Sequence, residues 1–250
     1  MQNSSLMQKF ERALVIGASS GIGRAIAEQL LKEGSSVALV ARRKEAMEEV
    51  SASFPGKSFI YPHDVTDYAT TPALFQQITH DLGGLDLIVY ASGVMPAIEE
   101  NEYSFQKDRE MIEVNLLGAI SWLDEAAMRF ERTKSGTIVG ISSVAGERGR
   151  RGNPAYGASK AALTGFLESL RNRLSRYGVH VVTIKPGFID TDMVSGKPGL
   201  FWVISAEDAG KQILQAAKRG TNIAYIPARW RFVTFMLKCI PSFLFRRLPI

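Results

Sequence analysis

Two residues one helical turn apart carry the sharpest chemical signal in this sequence. Tyr156 and Lys160 stand four positions apart, so on a helix they share a face. A free tyrosine has a pKa of about 10 and is a poor base at neutral pH. A nearby ammonium favours the phenolate and lowers that pKa, which makes the pair suited to moving a proton. Two further polar residues, Asn115 and Ser143, fall at separate but compatible places upstream.

A second signal is Gly17-Ala-Ser-Ser-Gly21-Ile-Gly23. Glycines permit a tight turn and let backbone N–H groups approach a pyrophosphate at the positive end of a helix. An apolar run before this segment and a helical pattern after it make a phosphate cradle the better reading than a plain turn. The next apolar run ends in Ala41-Arg42-Arg43. A carboxylate there would hold the adenosine ribose hydroxyls of NAD, whereas an arginine suits the extra 2′-phosphate of NADP. Arg42 is the first choice, with Arg43 assisting. Asp64 and Val65 follow the third run as adenine contacts, and Ala91-Ser92-Gly93 follow the fourth, where small residues let a cofactor pass close to backbone. His63 is expected to pack or face solvent.

The elements that must position these residues alternate. Short apolar runs at 13–16, 36–40, 58–61, 85–89, 137–141, 179–184 and 223–226 predict strands. Helical patterns cover 22–33, 44–54, 71–82, 108–132, 156–177 and 206–219. Strands apolar throughout, each followed by a helix, imply a doubly wound parallel sheet of about seven strands with helices on both faces. Ligands in such a sheet bind outside the carboxyl ends of the strands, where the residues above fall. No linker or repeat divides residues 1–250, so a single domain is expected, with a basic apolar C-terminal segment at 227–250.

The ordered set resembles the short-chain dehydrogenase/reductase family in its compact form. It comprises the glycine segment, Asp64, Asn115, Ile141-Ser142-Ser143-Val-Ala-Gly146, Tyr156-Gly-Ala-Ser-Lys160 and Pro186-Gly187. The resemblance implies a Rossmann-type fold and an oxidoreductase moving hydride between NADP(H) and a carbonyl/alcohol pair. It implies that Tyr156 exchanges the proton with the substrate oxygen and that Ser143 hydrogen-bonds that oxygen. Ser143 is preferred to Ser142 because it stands thirteen residues before Tyr156. Lys160 would bind the nicotinamide ribose and Asn115 would anchor a water in the proton relay. Besides Tyr156 and Lys160, the cofactor set would comprise Gly17, Ser19, Ser20, Gly21, Ile22, Gly23, Arg42, Arg43, Asp64, Val65, Ala91, Ser92, Gly93, Pro186, Gly187, Ile189 and Thr191. A homodimer or homotetramer is also implied. Two departures stand out: Ile16 where the family often has threonine, and Tyr90-Ala91-Ser92-Gly93 where it favours Asn-Asn-Ala-Gly.

Val94, Met95, Val144, Met193, Phe201 and Trp202, with Leu200 and Val203, could line an apolar pocket for a lipophilic substrate, or be ordinary core. The run 147–152 carries Arg148, Arg150 and Arg151, and reads as a solvated loop or as a dock for an anionic substrate or acidic carrier protein. A 3-oxoacyl carrier-protein reductase is therefore the rival enzyme, and a non-catalytic NADP(H)-binding sensor or scaffold the rival from another class. The tail is apolar around most of a helix, with Arg231, Thr234 and Lys238 as a narrow polar stripe. It could pack on the body, join subunits or touch a membrane surface through residues 229–250.

Composition narrows the classes. The 250 residues are 46% hydrophobic and 22% charged, ordinary for a globular chain. One cysteine, Cys239, cannot form an internal disulfide, and no signal-like or spanning apolar stretch occurs. A soluble cytoplasmic protein is expected. Of the net charge of +5, the five basic residues Arg229, Arg231, Lys238, Arg246 and Arg247 supply the whole excess. A body otherwise balanced in charge argues against nucleic-acid binding. No metal site is expected.

Overall fold

The apolar runs fold as strands shielded on both faces. The computed structural model describes residues 9–194 and 199–248. The strands are β1 (Arg12–Ile16), β2 (Ser36–Ala41), β3 (Ser58–Pro62), β4 (Leu87–Tyr90), β5 (Thr137–Ile141), β6 (His180–Pro186), the short β7 (Ile189–Asp190) and β8 (Ile204–Ser205), and β9 (Ile223–Ile226). Seven of them form one parallel sheet in the order β3-β2-β1-β4-β5-β6-β9, and β7 pairs with β8. Side chains alternate between two cores, as the two-residue period of a strand requires. Val15, Leu39, Val89, Val139 and Val182 pack beneath α1 (Gly21–Lys32), α2 (Lys44–Ala52) and α7 (Ala206–Lys218). Leu14, Val40, Ile88, Ile138 and Val181 pack beneath α3 (Thr71–Asp81), α5 (Gly118–Thr133) and α6 (Pro154–Leu174).

Strand order reverses between β1 and β4. The connections after these strands leave in opposite directions and open a crevice at their carboxyl ends. The floor of the crevice is stitched by backbone: Gly17 N–H donates to Val40 O at 2.8 Å, and Ala91 N–H to Ile16 O at 2.8 Å.

The predicted helix 108–132 is longer and interrupted. It begins as α4 (Phe105–Ile112), widens into a π-turn at Glu113–Leu117 and continues as α5. Ser104 caps its start by accepting from Lys107 N–H. The strand expected at 85–89 begins later, at Leu87, because the Asp86 carboxylate accepts from the N–H groups of Glu11 and Arg12 at 3.0 and 2.9 Å. The tail forms α8 (Trp230–Cys239) and α9 (Ser242–Phe245).

Candidate active site

The glycine turn is shaped by contact as well as by torsion. Gly17 has φ +89°, and a Cβ on it would stand 2.6 Å from Ser92 N. A Cβ on Gly23 would stand 2.1 Å from Gly17 O. Only hydrogens fit, so the turn lies directly on the β4 end; Gly17 and Ala18 N–H are tied to Val40 O, and the first N–H groups of α1 are the ones left toward the crevice. Across it, the Arg43 guanidinium donates to the hydroxyls of Ser19 at 3.2 Å and Ser20 at 2.6 Å. Arg42 instead stands 4.0 Å from Asp64. Both arginines line the crevice, but Arg43 is the one held against the turn. Thr66 occupies one oxygen of Asp64 through its N–H and hydroxyl, at 2.9 and 2.8 Å. Burial pushes the Asp64 carboxyl up, but these two bonds together with the charges of Arg42 and His63 outweigh it, so it ionises below its usual range. His63 packs edge-on to Trp122 at 5.4 Å, and burial lowers its pKa.

At the other end, Asn153 starts α6 by accepting from Tyr156 N–H at 3.3 Å, and Pro154 occupies the first turn. The Tyr156 hydroxyl faces Met193 Sδ at 3.9 Å. Burial raises its pKa, and a hydrogen bond from Ser143 opposes that rise. The depression expected from Lys160 is not realised in this geometry. The Lys160 ammonium lies 5.8 Å from the Tyr156 ring centroid and donates to Ile141 O at 2.9 Å. Burial lowers its own pKa to about 8.

The choice between the two serines has a structural reason. Ser142 donates to Lys160 O at 2.9 Å and meets the Thr164 hydroxyl at 2.8 Å, so its hydroxyl is spent on α6. Ser143 accepts from Ala145 N–H at 3.0 Å and turns its hydroxyl toward Tyr156 in the crevice. Asn115 sits within the π-turn, fully buried. Its Oδ1 accepts from Val94 N–H at 2.7 Å, and its Nδ2 donates to Val94 O at 3.0 Å and to Ser159 Oγ at 3.2 Å. Tyr90, where the family favours asparagine, donates to Val114 O at 2.6 Å. It thereby ties the end of β4 to that π-turn. Ile16, the other departure, is fully buried in the core.

One cavity of about 790 Å³ joins the two ends. Its wall includes Ser19, Ser20, Gly21, Ile22, Gly23, Val65, Ala91, Ser92, Gly93, Ser143, Tyr156, Lys160, Pro186, Gly187, Ile189 and Thr191. Asn115 is not on that wall; it lies behind Gly93, whose Cβ would stand 3.4 Å from both Asn115 Oδ1 and Lys160 Nζ. Val94, Met95, Val144 and Met193 line the cavity as expected, joined by Pro96, Phe188 and Val194. Phe201 and Trp202 do not. Phe201 stacks on Trp230 at 5.2 Å, and Trp202 meets both rings edge-on at 5.4 and 6.1 Å. An aromatic tail residue captured them, which no local pattern around 200 could signal.

The arginine run does not behave as one solvated loop. Arg148 donates to Leu237 O and, at 2.6 Å, to Ile240 O, and lies 3.9 Å over the Phe245 ring. Arg151 donates to Arg246 O at 3.0 Å. Beside them the buried Glu147 carboxylate pairs with Lys185 and Lys238 and accepts from Tyr225 at 3.0 Å. This segment clamps the tail to the body. Arg150 alone turns into the cavity.

Residues 11–198 match the family model described as short chain dehydrogenase. An uncharacterised oxidoreductase of Myxococcus xanthus is 33% identical over 241 residues, covering 94% of this chain and 95% of its own. One from Staphylococcus epidermidis is 33% identical over 184 residues, covering 74% and 80%. The solved structure of ElxO with NADP bound shares the fold, with a TM-score of 0.79 at 23% identity over 87% of this chain and 97% of that one. With the match spanning glycine turn, serine and tyrosine alike, this chain belongs to the short-chain dehydrogenase family of oxidoreductases.

Proposed function

We propose that this protein is an NADP(H)-dependent oxidoreductase acting on a carbonyl/alcohol pair, with Tyr156 as the acid/base. The observation that carries the reading is convergence: Tyr156, Ser143 and Lys160 share one cavity with the glycine turn of β1. The cradle fits a dinucleotide, because the absence of side chains at Gly17 and Gly23 lets the turn pack close with the N-terminus of α1 facing the crevice, and Arg43 sits over Ser19 and Ser20. Arg42 and Arg43 would both hold the 2′-phosphate. ElxO, of the same fold, was solved with NADP bound. A bound nicotinamide supplies the hydride.

The chain supplies the proton and the geometry. Burial keeps the Tyr156 phenol protonated at neutral pH, the state needed to donate to a carbonyl oxygen as negative charge develops there. Ser143 would donate a second hydrogen bond to that oxygen. Lys160, still mostly cationic below pH 8, would bind ribose hydroxyls. Asn115 holds the Val94 backbone from both sides, which fixes the wall beside Lys160. An apolar wall of Val94, Met95, Val144, Phe188 and Met193 suits a lipophilic substrate. Tyr156→Phe should lower the rate of NADPH-dependent carbonyl reduction by roughly 10²–10⁴-fold. NADPH affinity should change little. Unchanged turnover would overturn the mechanism; NADPH binding without turnover of any carbonyl compound would favour the sensor reading. A homodimer or homotetramer in the cytoplasm is the working assembly, checked by light scattering.

The tail adds a second element. Two residues of its polar stripe face inward: Thr234 is buried and donates to Trp230 O at 2.9 Å, and Lys238 reaches Glu147, while Arg231 stays exposed. The apolar side faces out, with Phe232 69% and Phe235 62% exposed beside Met236, Phe243 and Leu244. Arg229, Arg231, Arg246 and Arg247 stand among these residues, and 227–250 contains no acidic one. Exposed aromatics within a basic surface match an anionic bilayer, which would then lie beside the loop joining Ser143 to Tyr156. Among the described residues no helix is long and apolar enough to cross a membrane, so the contact would be peripheral. Flotation with phosphatidylserine-containing vesicles should carry wild type and leave Phe232→Ser/Phe235→Ser behind. Equal flotation of both, or none of either, removes this reading.

A further inference from the structure

Arg150 is the one arginine of its run without work in the fold. Arg148 and Arg151 are each engaged by tail carbonyls. The Nε of Arg150 is buried without a hydrogen-bond partner. Among the described residues its guanidinium has no carboxylate within ion-pair distance, although Asp64, Glu110 and Asp192 also line the cavity. Residues 1–8, 195–198 and 249–250 contain no aspartate or glutamate that could serve instead. Burial pulls its pKa down with no opposite charge resisting. Arg150 is half-buried: its Nε lacks both water and a partner, and a bound anion would supply the missing charge and acceptor.

Its position says which ligand. Arg150 lies on the segment that joins Ser143 to Tyr156 and shares the cavity wall with Met95, Gly152 and Asn153. The cations at the nucleotide end, Arg42 and Arg43, are separate and belong to other elements. We propose that Arg150 reads an anionic oxyacid group, a carboxylate in the simplest case, on the substrate whose carbonyl meets Tyr156. This rests on the reading of Tyr156 as acid/base. The substrate class is then an amphiphilic oxo acid: carbonyl at Tyr156, apolar body against Met95 and Met193, acid at Arg150. The guanidinium offers a planar fork matched to such a group. Arg150 is a specificity residue and takes no part in proton or hydride transfer.

A matched pair of aldehydes tests it: 4-carboxybenzaldehyde and its neutral methyl ester, methyl 4-formylbenzoate, with NADPH oxidation followed for wild type, Arg150→Gln, Arg150→Lys and Tyr156→Phe. Wild type should prefer the acid in kcat/KM by tenfold or more. Arg150→Gln should abolish the preference through KM, leave ester turnover within about twofold, and Arg150→Lys should retain part of it. Similar wild-type rates on both compounds, or a preference that survives Arg150→Gln, overturns the inference while leaving the oxidoreductase reading intact. Conversely, unchanged rates in Tyr156→Phe sink the acid/base reading and leave the acid preference to be judged by itself. Should wild type turn over neither aldehyde, quenching of bound NADPH fluorescence decides. Acid binding that is lost in Arg150→Gln supports the site, and equal binding of acid and ester overturns it.

Discussion

Glu147→Gln is the perturbation whose cost the structure defines best. The Glu147 side chain is 4% exposed, and its partner Lys185 is 8% exposed. Lys238, the second partner, is half exposed. Replacing the carboxylate with an amide leaves Lys185 charged, buried and unpaired, a change that costs about 3–5 kcal/mol. Lys238 returns to water at little cost, since exposed pairs contribute at most about 1 kcal/mol. For a chain of this size the loss corresponds to a melting point lower by roughly 6–20 °C. A double-mutant cycle isolates the pair. Adding Lys185→Met to Glu147→Gln removes the stranded charge and should recover at least about 2 kcal/mol. Burial pushes the Glu147 carboxyl up, but hydrogen bonds from Lys185 and Lys238 outweigh it, so it ionises below its ordinary 4.5. A carboxyl lowered in the folded state contributes stability above its unfolded pKa and loses it as pH falls through the folded value. Wild type should therefore lose stability below about pH 4.5 more steeply than Glu147→Gln. Denaturant titrations at pH 7 and pH 4 measure both effects. A single-mutant cost under about 1 kcal/mol, or no recovery in the double mutant, would refute the view that Glu147 and Lys185 depend on each other as a buried ion pair.

Two further outcomes are expected at the cofactor end. Arg43→Ala should weaken NADPH binding at least tenfold while NADH binding changes less than twofold, with Arg42→Ala showing the same direction; equal losses for both dinucleotides would remove the 2′-phosphate assignment. For Lys160, burial lowers the pKa from 10.5 to about 8, so between those values the unfolded chain holds the extra proton. Stability from this group should then rise between pH 8 and 10.5, by up to about 3 kcal/mol, and Lys160→Met should lack that rise. Urea titrations at pH 7.5 and 9.5 check it, and identical pH slopes in the two proteins would contradict the buried-cation assignment.

The residues legible from sequence were those whose chemistry is local. A glycine turn between strand and helix, and a tyrosine and lysine at i, i+4, need only their own elements to form. The π-turn that carries Asn115 was not legible. Hydrophobic periodicity cannot distinguish 3.6 from a single wider turn, and what holds Asn115 is the Val94 backbone twenty-one positions away. Position after the Pro186–Gly187 turn leaves Phe201 and Trp202 open to either role, pocket lining or ordinary core. Their aromatic partner, Trp230, comes from a different part of the chain.

The tail shows the same limit most sharply. A helix with a narrow polar stripe announces two unlike faces, yet the pattern alone does not say which is inside. Here a buried carboxylate settles the matter. Glu147, already paired with Lys185, also binds Lys238, so Thr234 and Lys238 turn inward while Arg231 and the phenylalanines turn out. Glu147 belongs to the short segment that also carries Arg150 into the cavity and joins Ser143 to Tyr156. The inward side of the tail reaches the same place, since a Cβ on Gly187, at the cavity wall, would overlap the Trp230 ring at 1.9 Å. The tail is thus fastened to both walls between which the substrate would lie, and displacing α8 should alter substrate KM before it alters cofactor affinity.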